Sequence, residues 1–223
     1  MSTLDASADE FVQPTAASAE EAVVIEAAAV GPLAGDPTAL GLPSFIVGSV
    51  ALGLVLVGFV PASAVGASLP IILAATATGL FVATIWSAAV GQSAVASVFG
   101  IFAGFWLSYA VLVLGLTHNW FGITVAAAKD TQELFLLTWL IVVVMLTLAT
   151  LRLPLGFTVL FALIDIALLL VLIGTAQAST GLLHTAGYVV LAFAAVGVYL
   201  FFGSASQATG GQALPLGRPV LRS

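Results

Sequence analysis

Asp165 stands in the run Phe161-Ala162-Leu163-Ile164-Asp165-Ile166-Ala167-Leu168, with apolar neighbours on both sides. It is the one ionisable residue deep inside any apolar stretch of this sequence. An ionised Asp near the centre of a bilayer costs about 2.5–3.5 kcal/mol on insertion scales, so it must face a cavity, find a partner or stay neutral. Two roles are open to it. It is either a proton-coupling or pathway-lining carboxyl, or a neutral Asp bonded to a carbonyl or hydroxyl of a neighbouring helix. The remaining chemistry is sparse. His118 and His184 lie far apart near the ends of apolar runs, where an interfacial structural role outweighs a catalytic one. There is no His-x-x-x-His pair, no Gly-x-Ser-x-Gly elbow and no Gly-x-x-x-x-Gly-Lys phosphate cradle. Cysteine is absent, which removes disulfides, thiol nucleophiles and thiolate metal sites. The pattern is not that of an enzyme and implies neither a cofactor nor a metal. Nor does any apolar run contain Lys or Arg, so an anion would be met only by helix N-termini, hydroxyls and backbone amides. So weak a site suits small monovalent anions or their protonated acids.

The elements that must hold such a site are dictated by composition. Of 223 residues, 61% are hydrophobic and 6% charged, with a mean hydropathy of +1.24. A soluble domain carries roughly a quarter of its residues as Asp, Glu, Lys and Arg. Four Lys and Arg, ten Asp and Glu and two His cannot coat a soluble particle, and four scattered bases cannot neutralise a nucleic-acid backbone. The expected partners are therefore a lipid bilayer and a small solute, not nucleic acid. Apolar runs of membrane-spanning length recur at about 40–60, 68–90, 94–116, 133–151, 155–173 and 182–202. The fold class is all-α: an integral membrane bundle of six transmembrane helices. Asp36-Pro37 reads as the N-cap and first position of the first helix.

Charge is distributed unevenly along this frame. Seven of the ten acids (Asp5, Asp9, Glu10, Glu20, Glu21, Glu26 and Asp36) come before the first apolar run, with no base among them. Residues 1–36 read as a disordered, acidic cytoplasmic tail without the basic start and apolar core of a signal peptide, although Ser18 and Glu21 have capping-box spacing. Residues 37–203 form the transmembrane domain and 204–223 a cytoplasmic C-terminal tail. Six spans put both termini on one side. With that side inside, Arg152, Arg218 and Arg222 fall in the cytoplasm and only Lys129 outside, so the positive-inside rule favours N-in, C-in. Small residues recur every fourth position in the second span (Ala75, Gly79, Ala83, Ser87, Gly91) and the third (Ala96, Gly100, Gly104, Ser108). Such stripes pack the second span against the third, or face a neighbouring subunit.

Several motifs resemble a known family. Asp36-Pro37-Thr38-Ala39-Leu40-Gly41-Leu42 is similar to the Asn-Pro-Ala-Pro-Leu-Gly-Leu signature of the acetate uptake transporters, the succinate–acetate permeases. Gly104-Phe105-Trp106-Leu107, Trp139, Ile173-Gly174, His184-Thr185-Ala186-Gly187-Tyr188, Tyr199 and Leu214-Pro215-Leu216-Gly217 follow in that family's order. The resemblance covers about 36–217. It implies a six-helix protomer in a hexamer, each protomer carrying acetate and related short carboxylates by a proton-linked or channel-like route. The family's Phe–Tyr–Leu constriction would fall on Phe45, Phe102 and Ile164, an apolar ring that gates by size and dewetting. The entrance motif would comprise Asp36, Pro37, Leu40, Gly41 and Leu42.

Departures from the family pattern matter to the chemistry. Asp36 replaces Asn and Ala39 replaces the second Pro. Phe102 lacks the tyrosine hydroxyl, the second span has Ala83 or Thr84 where a Gln is usual, and Gln207-Ala208 replaces Asn-Glu. The pathway is thus less polar than the family's, and Asp165 beside Ile164 could supply a polar group in compensation. The expectation is a multi-pass transporter or channel of the inner (plasma) membrane for acetate-like monocarboxylates. Its rivals are a non-transporting sensor or scaffold of the same fold and, more distantly, an intramembrane enzyme.

Overall fold

A computed structural model describes residues 33–221. The expected acidic tail and its Ser18–Glu21 spacing lie outside the described residues. Asp36 opens the first helix, α1 (Thr38–Leu56), as the sequence predicts. Its Oδ1 accepts a 2.9 Å bond from the Thr38 backbone N–H, and Pro37 already has helical torsions (φ −59°, ψ −19°). The carboxylate thus satisfies an N–H that the first turn leaves without an intrahelical partner. The second span, α2 (Ser63–Ala89), is composite: a 3₁₀ turn leads through one α-helical turn into a π-helical stretch at Ile72–Ala77, then regular helix from Thr78. The widened turns lie where α2 crosses α1, and Thr76 is wholly buried there.

Helix α3 (Ser93–His118) follows after a short turn at Gly91 and stops at Asn119, whose left-handed backbone (φ 53°) lets Trp120 N–H bond back to the Gly115 carbonyl at 3.0 Å. α4 (Ala128–Thr150), α5 (Leu155–Ala176) and α6 (Thr180–Ala208) complete six helices long and apolar enough to cross a membrane; no strand occurs among the described residues. The short connections send successive helices back and forth. One end of the bundle therefore carries the start of α1, the α2–α3 turn, the α4–α5 turn with Arg152, and the end of α6.

Packing is sequential around the bundle. α1 lies along α6, α6 along α5, α5 along α4, and α2 pairs with α3, while α1 also packs against α2. The small-residue stripes do not form one seam. Gly100 faces Thr84 of α2, with room for a Cβ only 3.2 Å from its methyl, whereas Gly79 lies against Ser44 of α1 and Gly104 faces Trp139 of α4. Close approach is spread over three partners, which ties α2 and α3 to the rest of the bundle as well as to each other.

The chain after α6 folds back instead of trailing away. Gly210 turns it (φ 85°), and it then runs across the end of the bundle. Tyr199 Oη donates to the Pro215 carbonyl at 2.9 Å, Gly156 N–H to the Leu216 carbonyl at 2.8 Å, and Leu221 N–H to the Leu151 carbonyl at 2.9 Å. The Leu216 carbonyl thereby satisfies an otherwise unpaired N–H in the first turn of α5.

Candidate functional site

Contacts of α3 with α1 and α4 are thin, and a cavity of about 470 Å³ lies between α1, α3, α5 and α6. It opens at the end of the bundle where α1 begins. Asp36, Thr38, Ser204 and Gln207 line its mouth, joined by Leu214 and Leu216 of the folded-back tail. Phe99, Phe157 and Leu160 form its walls. Its inner limit includes Phe45, Phe102 and Ile164, the three residues expected at a constriction, with Leu80 of α2 and Phe161 of α5. Phe45 lies seven residues into α1, and Phe102 and Ile164 nine into α3 and α5, or roughly 10–14 Å from the helix starts at 1.5 Å per residue. Three helices therefore deliver their side chains to one depth.

The inner limit is an aromatic cluster. The Phe45 and Phe102 rings meet edge to face with centroids 5.1 Å apart, and Phe102 lies 5.8 Å from Phe161. Phe193 of α6 backs Phe45 at 5.8 Å and Trp106 backs it at 6.4 Å. Phe45, Phe102 and Ile164 are each no more than 5% exposed. Edge-to-face pairs of this kind hold ring positions beyond what burial alone provides. Sequence reasoning did not single out Phe161, Phe193 or Phe99. Phe and Ile are ordinary contents of a membrane span, so only their convergence in space marks them.

The entrance motif has a packing logic. Gly41 sits under the Phe99 ring so closely that a Cβ would overlap the ring atoms, and Phe99 is itself part of the cavity wall. Leu42 lines the cavity directly, Leu40 packs against the apolar core, and buried Pro37 sets the first turn. At the mouth, the Asp36 carboxylate accepts from Thr38 N–H, from Thr38 Oγ1 and, at 2.8 Å, from Ser204 Oγ. That last bond ties the start of α1 to the end of α6. Burial pushes the Asp36 carboxyl up, but the three hydrogen bonds together outweigh it and hold it below the usual carboxylate range.

Asp165 lies elsewhere. It is one residue from Ile164 yet is not part of the cavity lining; its Oδ2 accepts a 2.6 Å bond from Thr147 Oγ1 of α4. Thr147 Oγ1 is also 3.0 Å from the Val143 carbonyl, and Asp165 Oδ1 is buried without a hydrogen-bond partner. His118 donates from Nδ1 to the Leu114 carbonyl at 3.0 Å, its ring centroid 5.9 Å from that of Trp120. His184 lies in the first turn of α6, close to Gly58. Both histidines are at the end of the bundle opposite the cavity mouth. Lys129 pairs with Glu133 at 3.6 Å, also at that end. Among the described residues no group of three His, Cys, Asp or Glu side chains could hold a metal ion.

Comparison with known proteins places this architecture. The bacterial acetate channel SatP superposes with a TM-score of 0.72 at 22% identity, covering 82% of this chain and 99% of that one. Acetate permease A of Emericella nidulans is 29% identical over an alignment of 156 positions that covers 64% of this chain. The chain spans only 50% of that permease's length. Six apolar helices and relatives named as a permease and a channel make this a multi-pass membrane protein. The motifs from Asp36 to Tyr199 fall within a match over residues 26–212: the chain belongs to the GPR1/FUN34/yaaH family.

Proposed function

We propose that this protein is a membrane transporter or channel for acetate and related short monocarboxylates, proton-linked, with an apolar constriction at Phe45, Phe102 and Ile164. The observation that carries the reading is the cavity itself. It holds a solute of a few heavy atoms, begins at a hydrogen-bonded mouth and ends at those three side chains. Its walls are apolar enough to suit a short alkyl chain, while the Gln207 amide can donate to a carboxyl group, and Thr38 and Ser204, whose hydroxyl protons go to Asp36, can accept from a protonated one. The constriction then passes solute by rotation of the rings and brief wetting of the gap between them. Acetate as the solute is supported by the names of the two relatives.

Arg152 and Arg218 follow α4 and α6 at the mouth end, which supports a cytoplasmic mouth and an N-in, C-in arrangement in the inner (plasma) membrane. α4 is the least covered helix, with 17% of its apolar window buried against 39% for α3. Its outward Leu134, Ile141, Met145 and Leu148 suit lipid or a neighbouring protomer of a hexamer. Of the two roles open to Asp165, its bond to Thr147 favours that of a carboxyl clamping α5 to α4. Labelled-acetate flux into proteoliposomes tests the function. Uptake above protein-free vesicles that changes when Phe45 or Phe102 is truncated is the expected result; no flux above such vesicles at any pH refutes it and favours a sensor or scaffold.

A further inference from the structure

Among the described residues, one group that lines the cavity can carry charge. Asp36, Thr38, Thr150, Ser204 and Gln207 are its polar lining residues, and only Asp36 ionises. Among the described residues, no titratable side chain from α3, the α4–α5 turn, α5, α6 or the folded-back tail is part of the lining beside it. Among the described residues no base lines the cavity: Lys129 is paired with Glu133 at the opposite end, and Arg152 and Arg218, though at the mouth end, are not on the cavity wall. Thr38 and Ser204 aim three donors at the carboxylate, an arrangement that stabilises its charged form and fixes it at the rim. Past the rim the wall is apolar up to Phe45, Phe102 and Ile164.

A carboxylate approaching this mouth meets a like charge and then has to shed water among side chains that return nothing for it. The uncharged acid meets neither barrier. We infer that Asp36 is an anion-excluding charge filter, so that the species passing through the cavity is the protonated monocarboxylic acid and not its carboxylate. The inference rests on the transport reading above and gives its proton linkage a source. Each proton enters and leaves on the substrate's own carboxyl, one per acid, and no residue of the constriction needs to titrate. A fixed unit charge at a mouth with low-dielectric walls changes local monovalent anion concentration by about three- to tenfold at low salt. The effect fades as the Debye length falls to ~3 Å near 1 M salt.

The test uses the full chain in proteoliposomes, labelled acetate, and an imposed membrane potential at acid and at neutral pH. Wild-type uptake above protein-free vesicles should fall about tenfold per pH unit once acetic acid is mostly ionised, and should ignore the potential. Asp36→Asn should add a potential-driven component that raises total uptake at neutral pH about three- to tenfold over wild type at low salt and is lost at ~1 M. Gln207→Lys, which places a positive charge on the same rim, should add a similar component and keeps the idea testable should Asp36→Asn fold poorly. Potential-driven acetate uptake by the wild type overturns the filter and leaves the transport reading standing. A folded Asp36→Asn protein with wild-type potential response also overturns it. Absence of uptake at every pH overturns the transport reading and this inference with it.

Discussion

Replacing Gly41 by Ala tests the packing logic of the mouth most directly. A Cβ at position 41 would fall within the Phe99 ring, overlapping its outer atoms, so the ring has to move or α1 has to lift. Phe99 is 6% exposed and packed in the core cluster, so the direction left to it is into the cavity it lines. Overpacking a filled site costs about 1–3 kcal/mol. Against this, Ala in a helix interior is favoured over Gly by ~1 kcal/mol. The expected net change is thus a destabilisation of about 0–2 kcal/mol. That small number alone is a weak test, and a double-mutant cycle sharpens it. In a Phe99→Ala background the overlap is gone, so Gly41→Ala should stabilise by ~1 kcal/mol, giving a coupling energy of about 1–3 kcal/mol. Denaturation of the four detergent-solubilised proteins reads the stabilities, and acetate uptake reads the function. Gly41→Ala should narrow the mouth and reduce uptake, and Phe99→Ala should restore it. Additive stabilities, within about 0.5 kcal/mol, would refute the argument that Gly41 exists to seat Phe99.

Three further outcomes are expected. Phe102→Ala removes a ring that contacts Phe45, Phe105 and Phe161, so uptake of longer carboxylates such as butyrate should rise relative to acetate. The same change should cost about 3–5 kcal/mol of stability by the measure of soluble cores; an unchanged size preference argues against the constriction. Asp165→Asn keeps an acceptor for the Thr147 hydroxyl, so uptake and its pH profile should match wild type, while a shifted profile would return Asp165 to proton coupling. The hydrogen bonds on Asp36 hold its carboxyl below the ordinary value, so their stabilisation is present above that value and lost as pH falls through the lower folded one. Thermal stability measured from neutral pH down to about pH 3 should therefore fall on acidification by more in wild type than in Asp36→Asn. Equal falls would show that those bonds contribute nothing.

Hydropathy located all six helices because a membrane span must be apolar over its whole length, but it misjudged where they end. The polar segment before the fourth span reads as loop, yet α4 begins at Ala128. Thr131 and Gln132 bond back to the Ala127 and Ala128 carbonyls, and Lys129 pairs with Glu133 one turn on, so polar side chains extend the helix beyond the apolar slab. α6 likewise continues past Phe202 to Ala208. The π-helical turns of α2 had no signature in Ile72-Leu73-Ala74-Ala75-Thr76-Ala77; in the structure that stretch is packed between α1 and α3. The tail's return over the bundle was equally illegible, since three backbone carbonyls and a tyrosine hydroxyl hold it.

The residues meeting at the inner limit of the cavity show what a family pattern adds to composition and what it leaves out. Phe45, Phe102 and Ile164 come from three helices and share no local motif, so only an aligned pattern could pair them before a structure did. That pattern brings the ring without its supports. Phe161 and Phe193 hold the two phenylalanines from α5 and α6, and Phe99 depends on the absence of a side chain at Gly41. Asp165 shows how sequence adjacency differs from adjacency in space. Rarity made it conspicuous, and its adjacency to Ile164 suggested a shared task, but neighbours on a helix point about 100° apart. When Ile164 faces the cavity, Asp165 turns toward α4 and Thr147. The carboxylate positioned to act on a passing solute is the one that drew less notice, Asp36, because it sat in the segment where acids were common. A charge in a span is conspicuous by its cost, whereas a charge at a mouth acts on solute only when the walls around it are apolar and hold no opposite charge to cancel it.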